Sequence, residues 1–341
     1  MKKEEYLYNF AEEARYKGKD EQYIEKWKEY ASNLLDKGLP VIYDQHHFCL
    51  LVGYEECYVY SVSNSPKLFY HNYKIPKKSG GYRQISEPYP SLKEIQRWIL
   101  DNILSKVEVS VYAKAYVSGK SIRDNVRFHR KQDVLLSLDV KDFFESISPS
   151  LVYKVFENMG YASDVTTMLT KLCCFNGGLP QGSPTSPAIS NIIMKDFDVW
   201  IGSFVTKKGI RYTRYADDLT FSGRFKPKEV ISRVKKGLYQ LGFKLNKEKT
   251  RIRRSHQRQM VTGVVVNEKL QLPKETRRYI RQEMYYIKKF GIQSHMEHRE
   301  IQQRNYVEHL RGKIQFGLFV NRYDEELKGY IEYLDWLKAN Y

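Results

Sequence analysis

Three acidic residues carry the strongest chemical signal in the sequence. Asp217 and Asp218 are adjacent within Tyr215-Ala216-Asp217-Asp218, between the runs Ile210–Arg214 and Leu219–Ser222. Asp139 stands apart, directly after the apolar run Val134–Leu138. Acids in turns are common, because Asp bonds nearby backbone there. An acid closing an apolar strand is unfavourable unless it is solvated, paired or bound to a cation. Carboxylates from neighbouring strands can share divalent ions. Hard oxygen donors favour Mg²⁺, which keeps waters and substrate phosphate oxygens in its shell. Two such ions roughly 3.5–4 Å apart activate an attacking hydroxyl and stabilise a leaving pyrophosphate.

For these acids to meet, Val134–Leu138 must be a strand ending at Asp139, and Arg211–Ser222 must be two strands around a tight turn. Residues 1–40 read as helices with one packed face (Tyr6, Phe10, Tyr16, Tyr23, Trp27, Tyr30, Leu34). Residues 41–75 carry short β-prone runs, Val41–Tyr43 and Cys57–Val62. Residues 91–107 read as an amphipathic helix, with Ser91 as N-cap and Glu94 completing a capping box. Residues 273–341 look helical with a basic face. No internal repeat or low-complexity linker appears. The elements alternate without a βαβ period, so the expected fold class is α+β.

Composition narrows the partners. Among 341 residues, 57 Lys+Arg stand against 40 Asp+Glu, a formal charge of +17, with 42% hydrophobic residues. Such a chain can bury a core, and its charge points to a polyanion. The 28 Tyr and 16 Phe supply flat faces for stacking on bases. Residues 251–341 carry 18 Lys+Arg against 11 Asp+Glu, with Arg251, Arg253 and Arg254 in front and Arg277, Arg278 and Arg281 in one helical stretch. A solvated helix face would show a similar pattern. No run of about 18 uncharged apolar residues suggests a membrane span. The charged N-terminus is not that of a secretory signal. Cys49, Cys57, Cys173 and Cys174 form no CxxC pair. Neither a zinc site nor a disulfide framework is expected, and the expected location is cytoplasmic.

The acids also occur in a familiar order. Together with Asp139, Tyr215–Asp218 resembles the palm of reverse transcriptases. Ile75–Ile85 (IPKKSGGYRQI) resembles that family's fingers segment, Leu179–Pro187 (LPQGSPTSP) its nucleotide-pocket segment, and Gly242–Thr250 (GFKLNKEKT) its following palm motif. The resemblance spans roughly residues 60–265 and implies a right-hand polymerase. Its parts are an N-terminal extension (1–60), fingers (61–135), palm (136–268, with a fingers portion near 145–180) and a helical thumb with an RNA-binding C-terminal region (269–341). It further implies that Asp139 and Asp217 hold two Mg²⁺ ions with the Val140 carbonyl, and that Asp218 ligates or stands behind a ligand. Lys77, Lys78 and Arg83 would grip the triphosphate, where Arg offers a fork and Lys a point charge. Gln181 would contact the nucleotide. Phe144, five residues after Asp139, would be the ring that rejects a ribose 2′-OH, although plain core packing suits it and Phe143 equally. Lys249, with Lys247 as neighbour, matches the palm's general acid.

Two further segments narrow the resemblance to retron reverse transcriptases. Val261-Thr262-Gly263 resembles their VTG triplet, and Asn125-Val126-Arg127-Phe128-His129 resembles their NAxxH motif, with Val126 in place of Ala. Through the resemblance, Asn125, His129 and Val261–Gly263 are expected to help recognise a structured non-coding RNA. The family implies DNA synthesis from an RNA 2′-OH, a branched RNA–DNA product (msDNA), and an anti-phage ribonucleoprotein with an effector protein. Other readings are a defence-associated or intron-like reverse transcriptase, or a non-catalytic RNA-binding protein on a polymerase fold. The latter sits poorly with a full set of acids.

Overall fold

The computed structural model describes residues 2–77, 80–302 and 305–340. In chain order its first elements are α1 (Lys3–Tyr16), α2 (Glu21–Asp36), α3 (Gln45–Val52), α4 (Glu56–Asn64), β1 (Tyr70–Pro76), β2 (Tyr82–Pro88) and α5 (Pro90–Asn102). Next come α6 (Ile122–Val126), β3 (Val134–Asp139), α7 (Pro149–Met159), α8 (Ser163–Cys173), α9 (Ser186–Ile193), α10 (Lys195–Thr206), β4 (Arg211–Tyr215) and β5 (Asp218–Gly223). The last are α11 (Pro227–Gln240), β6 (Arg251–Arg254), β7 (Met260–Val261), β8 (Val264–Val265), α12 (Lys274–Phe290), α13 (Ile292–His298), α14 (Tyr306–Val320) and α15 (Glu325–Asn340). The class is α+β, as expected. Among the described residues no helix is long and apolar enough to cross a membrane.

The chain forms two compact units. The first holds residues up to Ser118, Val140–Ile201 and Lys235–Leu245. Its N-terminal helices α1 and α2 close over Ala11, Ala14 and Ile24. Asp20 starts α2 by accepting from the Tyr23 amide at 2.7 Å. Trp27 meets Tyr30 and Tyr43 edge-on at 5.2 and 5.5 Å. Val41–Tyr43 is not a strand: Val41 and Ile42 are buried in an irregular segment whose Ile42 carbonyl accepts from Tyr30. The β-prone run Cys57–Val62 lies in α4, because Val59 and Val62, three apart, pack on one buried helix face. Packing overrides strand propensity there. The amphipathic helix α5 forms with Leu92, Ile95 and Ile99 inward, but it starts at Pro90 behind Tyr89. The expected capping box is absent, and Glu94 accepts from the Tyr54 hydroxyl at 2.6 Å instead. Strands β1 and β2 pair antiparallel, from Tyr70 opposite Pro88 to Pro76 opposite Tyr82.

The second unit holds Gly119–Asp139, Gly202–Val234 and the chain from Asn246 onward. Its antiparallel sheet has the order β4-β5-β3-β6. Leu135, Leu136 and Leu138 bury β3 on both faces, and Tyr212 stacks across the strands on Phe221 at 4.6 Å. The expected strand and hairpin both form. Hairpin β7–β8 is seated by Val261, Val264 and Val266 packing with Val126, Leu135 and Val320. The C-terminal region is helical, as expected. Ile280, Met284 and Ile287 of α12 pack with Leu310 and Ile314 of α14 and Leu327 and Leu334 of α15.

Candidate active site

The register of the sheet brings the acids together. Asp139, the last residue of β3, lies directly opposite Asp218, the first of β5. Opposed residues of an antiparallel pair have Cα atoms about 4.5–5.5 Å apart and side chains on one face. Asp217 is the second residue of the two-residue loop between Tyr215 and Asp218. Ala216, the first, has φ +56°. That is the sign pattern of a type II′ turn, which normally takes Gly at this point, so the tip is strained. The wholly buried Arg214 donates to the Ala216 carbonyl at 3.2 Å and braces the tip.

Like charge is concentrated here. The protein packed around it, with the charges of Asp217 and Asp139, pushes the Asp218 carboxyl up to about 7, although part of it is open to solvent. The Lys249 ammonium donates to Asp139 at 2.8 Å. That bond raises the lysine, against the effect of burial and with the help of all three acids. Asp139 is buried.

On the same sheet face, a cavity of about 350 Å³ runs from Asp218 past Ser137, Thr220 and Leu135 to Arg251, Arg253 and Arg258 and the tip of β7–β8. That tip is Thr262-Gly263, with φ +42° and +83°. Two positive values match a type I′ turn, which explains Gly263, whereas a β-branched residue in this region is an outlier. Of the expected RNA contacts, Thr262 and Gly263 reach the surface and Val261 does not, because it fills the core beside Leu135. Asn125 and His129 are also wholly buried. His129 bonds Ser222 and Thr213, each at 2.7 Å, and Asn125 bonds Thr213 and Thr262. Their polar atoms face protein, so direct RNA contact by Asn125, His129 or Val261 is replaced by an internal role. Burial, and to a lesser degree the Arg211 charge, pushes His129 down to about 3.

The expected basic contacts differ among themselves. Arg253, Arg254 and Arg278 are exposed, whereas Arg251 donates to the carbonyls of Glu248 and Thr250. Arg277 is held by Asp324 and Glu326, and Arg281 by Glu326 at 2.6 Å. The Arg281 and Arg277 bonds bring the Glu326 carboxyl down to about 2.

In the first unit, Lys77 and Arg83 are exposed at the β1–β2 hairpin, and Lys78 lies outside the described residues. Val140 is buried and pairs with Leu245 in an isolated bridge. Gln181 donates to Glu145 at 2.7 Å, and its own carbonyl accepts from the Ser86 amide at 2.8 Å. Gly182 follows at φ +128°, where a Cβ would stand 2.9 Å from the Ser86 carbonyl oxygen. Glycine is required there because the loop lies directly against β2. Phe143 is buried against Phe243, and Phe144 is half-buried with its ring 6.4 Å from that of Tyr116. Of the two rings, Phe143 therefore takes the core role.

Residues 75–280 match the sequence model of the reverse transcriptase (RNA-dependent DNA polymerase) family. The chain is 31% identical over 317 residues to the retron Ec86 reverse transcriptase of Escherichia coli, covering 90% of this chain and 93% of that one. It is 37% identical over 276 residues to the retron Ec83 reverse transcriptase of E. coli, covering 75% and 84%. With the retron Mx162 reverse transcriptase of Myxococcus xanthus it shares 36% identity over 228 residues, covering 58% and 47%.

The chain belongs to the retron reverse transcriptases. It is an RNA-directed DNA polymerase with the right-hand fold of fingers, palm and helical thumb behind an N-terminal helical extension. Its partners are nucleic acids, an RNA template and DNA. Reverse transcriptases generally use divalent ions. The side chains of this retron enzyme fit such an ion by chemistry: Asp139, Asp217 and Asp218 offer hard carboxylate oxygens, and their like charges repel one another at Asp218. Among the described residues no group of three or more His, Cys, Asp or Glu side chains is arranged so that it could hold a metal ion as it stands. Lys249 supplies the positive charge at Asp139 instead. Several pocket residues of this reverse transcriptase were not singled out from the sequence: Ser137 and Thr220 lie in the runs beside the acids, and Arg258 and Met260 just before the Val261–Gly263 triplet. Within the Leu179–Pro187 motif, Ser183 donates to Gln96 of α5 at 2.8 Å, a buried contact that the motif alone does not announce.

Proposed function

We propose that this enzyme copies a structured non-coding RNA into DNA from a 2′-OH of that RNA, giving msDNA. In this reading it acts in the cytoplasm within an anti-phage ribonucleoprotein that includes an effector protein. The observation that carries the catalytic part is the opposition of Asp139 to Asp218 with Asp217 at the adjoining tip. Asp139 and Asp217 would hold two Mg²⁺ ions, with Asp218 and the Val140 carbonyl beside them. Bound there, such ions lower the pKa of the attacking hydroxyl and stabilise the departing pyrophosphate. The chain's own residues do the rest. Lys77, Lys78 and Arg83 grip the triphosphate, Gln181 contacts the nucleotide, and the Phe144 ring excludes a ribose 2′-OH. Lys249, already charged and bonded to Asp139, is placed to give a proton as negative charge develops. Thr262, Gly263 and the exposed Arg253, Arg254 and Arg278 take the RNA, with Arg251, Arg277 and Arg281 adding positive charge. Residues 1–60 would be the extension, 61–135 the fingers, 136–268 the palm and 269–341 the thumb.

Primed dNTP extension tests the catalytic part. Asp139→Asn and Asp217→Asn should each lower Mg²⁺-dependent incorporation by roughly a thousandfold or more, the several kcal/mol that a metal ligand set supplies. Wild-type incorporation by either variant would overturn the assignment. Sequencing the RNA and attached DNA that co-purify with the protein tests the retron part; unbranched DNA or no linked RNA would contradict 2′-OH priming.

A further inference from the structure

The motif Asn125…His129 forms a directed hydrogen-bond chain. The Asn125 amide donates to Thr262 Oγ1 at 3.4 Å, and its Oδ1 accepts from the Thr213 hydroxyl at 2.5 Å. The Thr213 hydroxyl has one proton and gives it to Asn125. Its bond to His129 Nε2 at 2.7 Å must then run the other way, with Nε2–H donating. A neutral imidazole with its proton on Nε2 accepts at Nδ1, so the Ser222 hydroxyl donates there, also at 2.7 Å. Burial keeps the ring neutral. The chain thus runs from Ser222 on β5, through His129, Thr213 on β4 and Asn125, to Thr262 at the tip of β7–β8. Every link is buried except Thr262. It joins the strands that carry Asp217 and Asp218 to a hairpin tip held in a strained turn. A β-branched Thr at φ +42° is a backbone outlier, where Asn would fit better. The hydroxyl that receives the Asn125 amide gives the Thr its purpose.

We propose that Asn125, His129 and Thr213 are positioning residues that couple the Thr262 tip to the strands carrying the catalytic acids, so that RNA seated at the tip aligns the acidic hairpin. None of the three touches RNA. The coupling rests on the reading of the 262–263 tip as an RNA contact.

The test uses the full-length protein with two probes: the RNA that co-purifies with it, and poly(rA) primed with oligo(dT). Thr213→Val keeps the shape and removes the relay hydroxyl. Residues in one network couple, so this variant should bind the co-purified RNA roughly tenfold more weakly. It should lose DNA synthesis on that RNA by a similar factor while extending oligo(dT) within about twofold of wild type. Thr213→Ser, which keeps the hydroxyl, should restore both. Thr262→Val should weaken RNA binding, and Thr213→Val/Thr262→Val should be no worse than the weaker single variant. If Thr213→Val fails to fold, Ser222→Ala at the far end of the chain replaces it with the same expectations. Unchanged binding by Thr262→Val would refute the tip as an RNA contact. Impaired binding by Thr262→Val with wild-type behaviour of Thr213→Val would overturn the coupling itself. Equal losses by Thr213→Val on both probes would mean a purely structural network and also overturn it.

Discussion

Two hairpins of the second unit make opposite use of the same device. Each turns in two residues, and each places a side-chain-bearing residue at positive φ: Ala216 at +56° and Thr262 at +42°. At Ala216 the turn lifts acids into a crowd of like charge, where Asp218 is pushed up to about 7. At Thr262 the turn lifts a hydroxyl that an interior amide meets. The first hairpin gathers like charge, offset at Asp139 by Lys249, whereas the second belongs to a network of buried hydrogen bonds. Crowded like charge perturbs a titratable group, whereas satisfied buried polar groups hold a place still.

The contrast can be broken most severely at the acids, where Asp→Asn at 139 or 217 removes activity. Stability should move the other way. Asp218 is raised, so its ionised form disfavours the folded state above the ordinary carboxylate range, and the effect vanishes as pH falls. Asp218→Asn should therefore raise the melting temperature at pH 8, and the gain should shrink near pH 5; a lower melting temperature at pH 8 would contradict the crowding. The second hairpin should respond in the opposite sense. His129→Ala leaves Thr213 and Ser222 without their partner and should destabilise by about 3 kcal/mol in urea unfolding. His129 is neutral when folded down to about 3 and titrates near 6.5 when unfolded. The wild type should then lose up to about 1.4 kcal/mol of stability per pH unit from this residue as pH falls from about 6 to about 4. His129→Gln should lack that component, and identical pH profiles would count against a buried neutral ring.

Smaller effects sharpen the comparison. Ala216→Gly should relieve strain and stabilise by about 1 kcal/mol while slowing incorporation, because the freed tip holds Asp217 less firmly. Faster incorporation would show that the strain has no positioning value. Arg253→Ala should weaken RNA binding slightly and reduce the salt dependence of log Kd by about one, as expected for one lost phosphate contact. An unchanged slope would remove Arg253 from the interface.

The acidic end was legible in the sequence, because an apolar run closed by Asp139 and a paired acid between β-prone runs occur in the same order as the other segments that resemble the reverse transcriptase palm and fingers. The C-terminal helices were legible too, as a helical stretch carrying Arg277, Arg278 and Arg281, although Arg277 and Arg281 proved to be held by acids rather than free. Less was visible where packing decides. Val59 and Val62 suit a strand locally but a buried helix face in the protein. Asn125 and His129 stood out as a motif, yet their inward direction depends on Thr213, Ser222 and Thr262, which lie 84 to 137 residues further along the chain. Spacing within a motif carries no trace of partners that distant. The same holds for Arg258 and Met260, which reach the pocket only through the placement of β7–β8.

The most direct measurement is anomalous diffraction from crystals of the protein with Mn²⁺, a primed RNA template and an unreactive dNTP analogue. The account predicts metal peaks within coordination distance of carboxylates from both Asp139 and the Asp217–Asp218 tip. Peaks touching only one of those two stretches, or lying away from both, would contradict it.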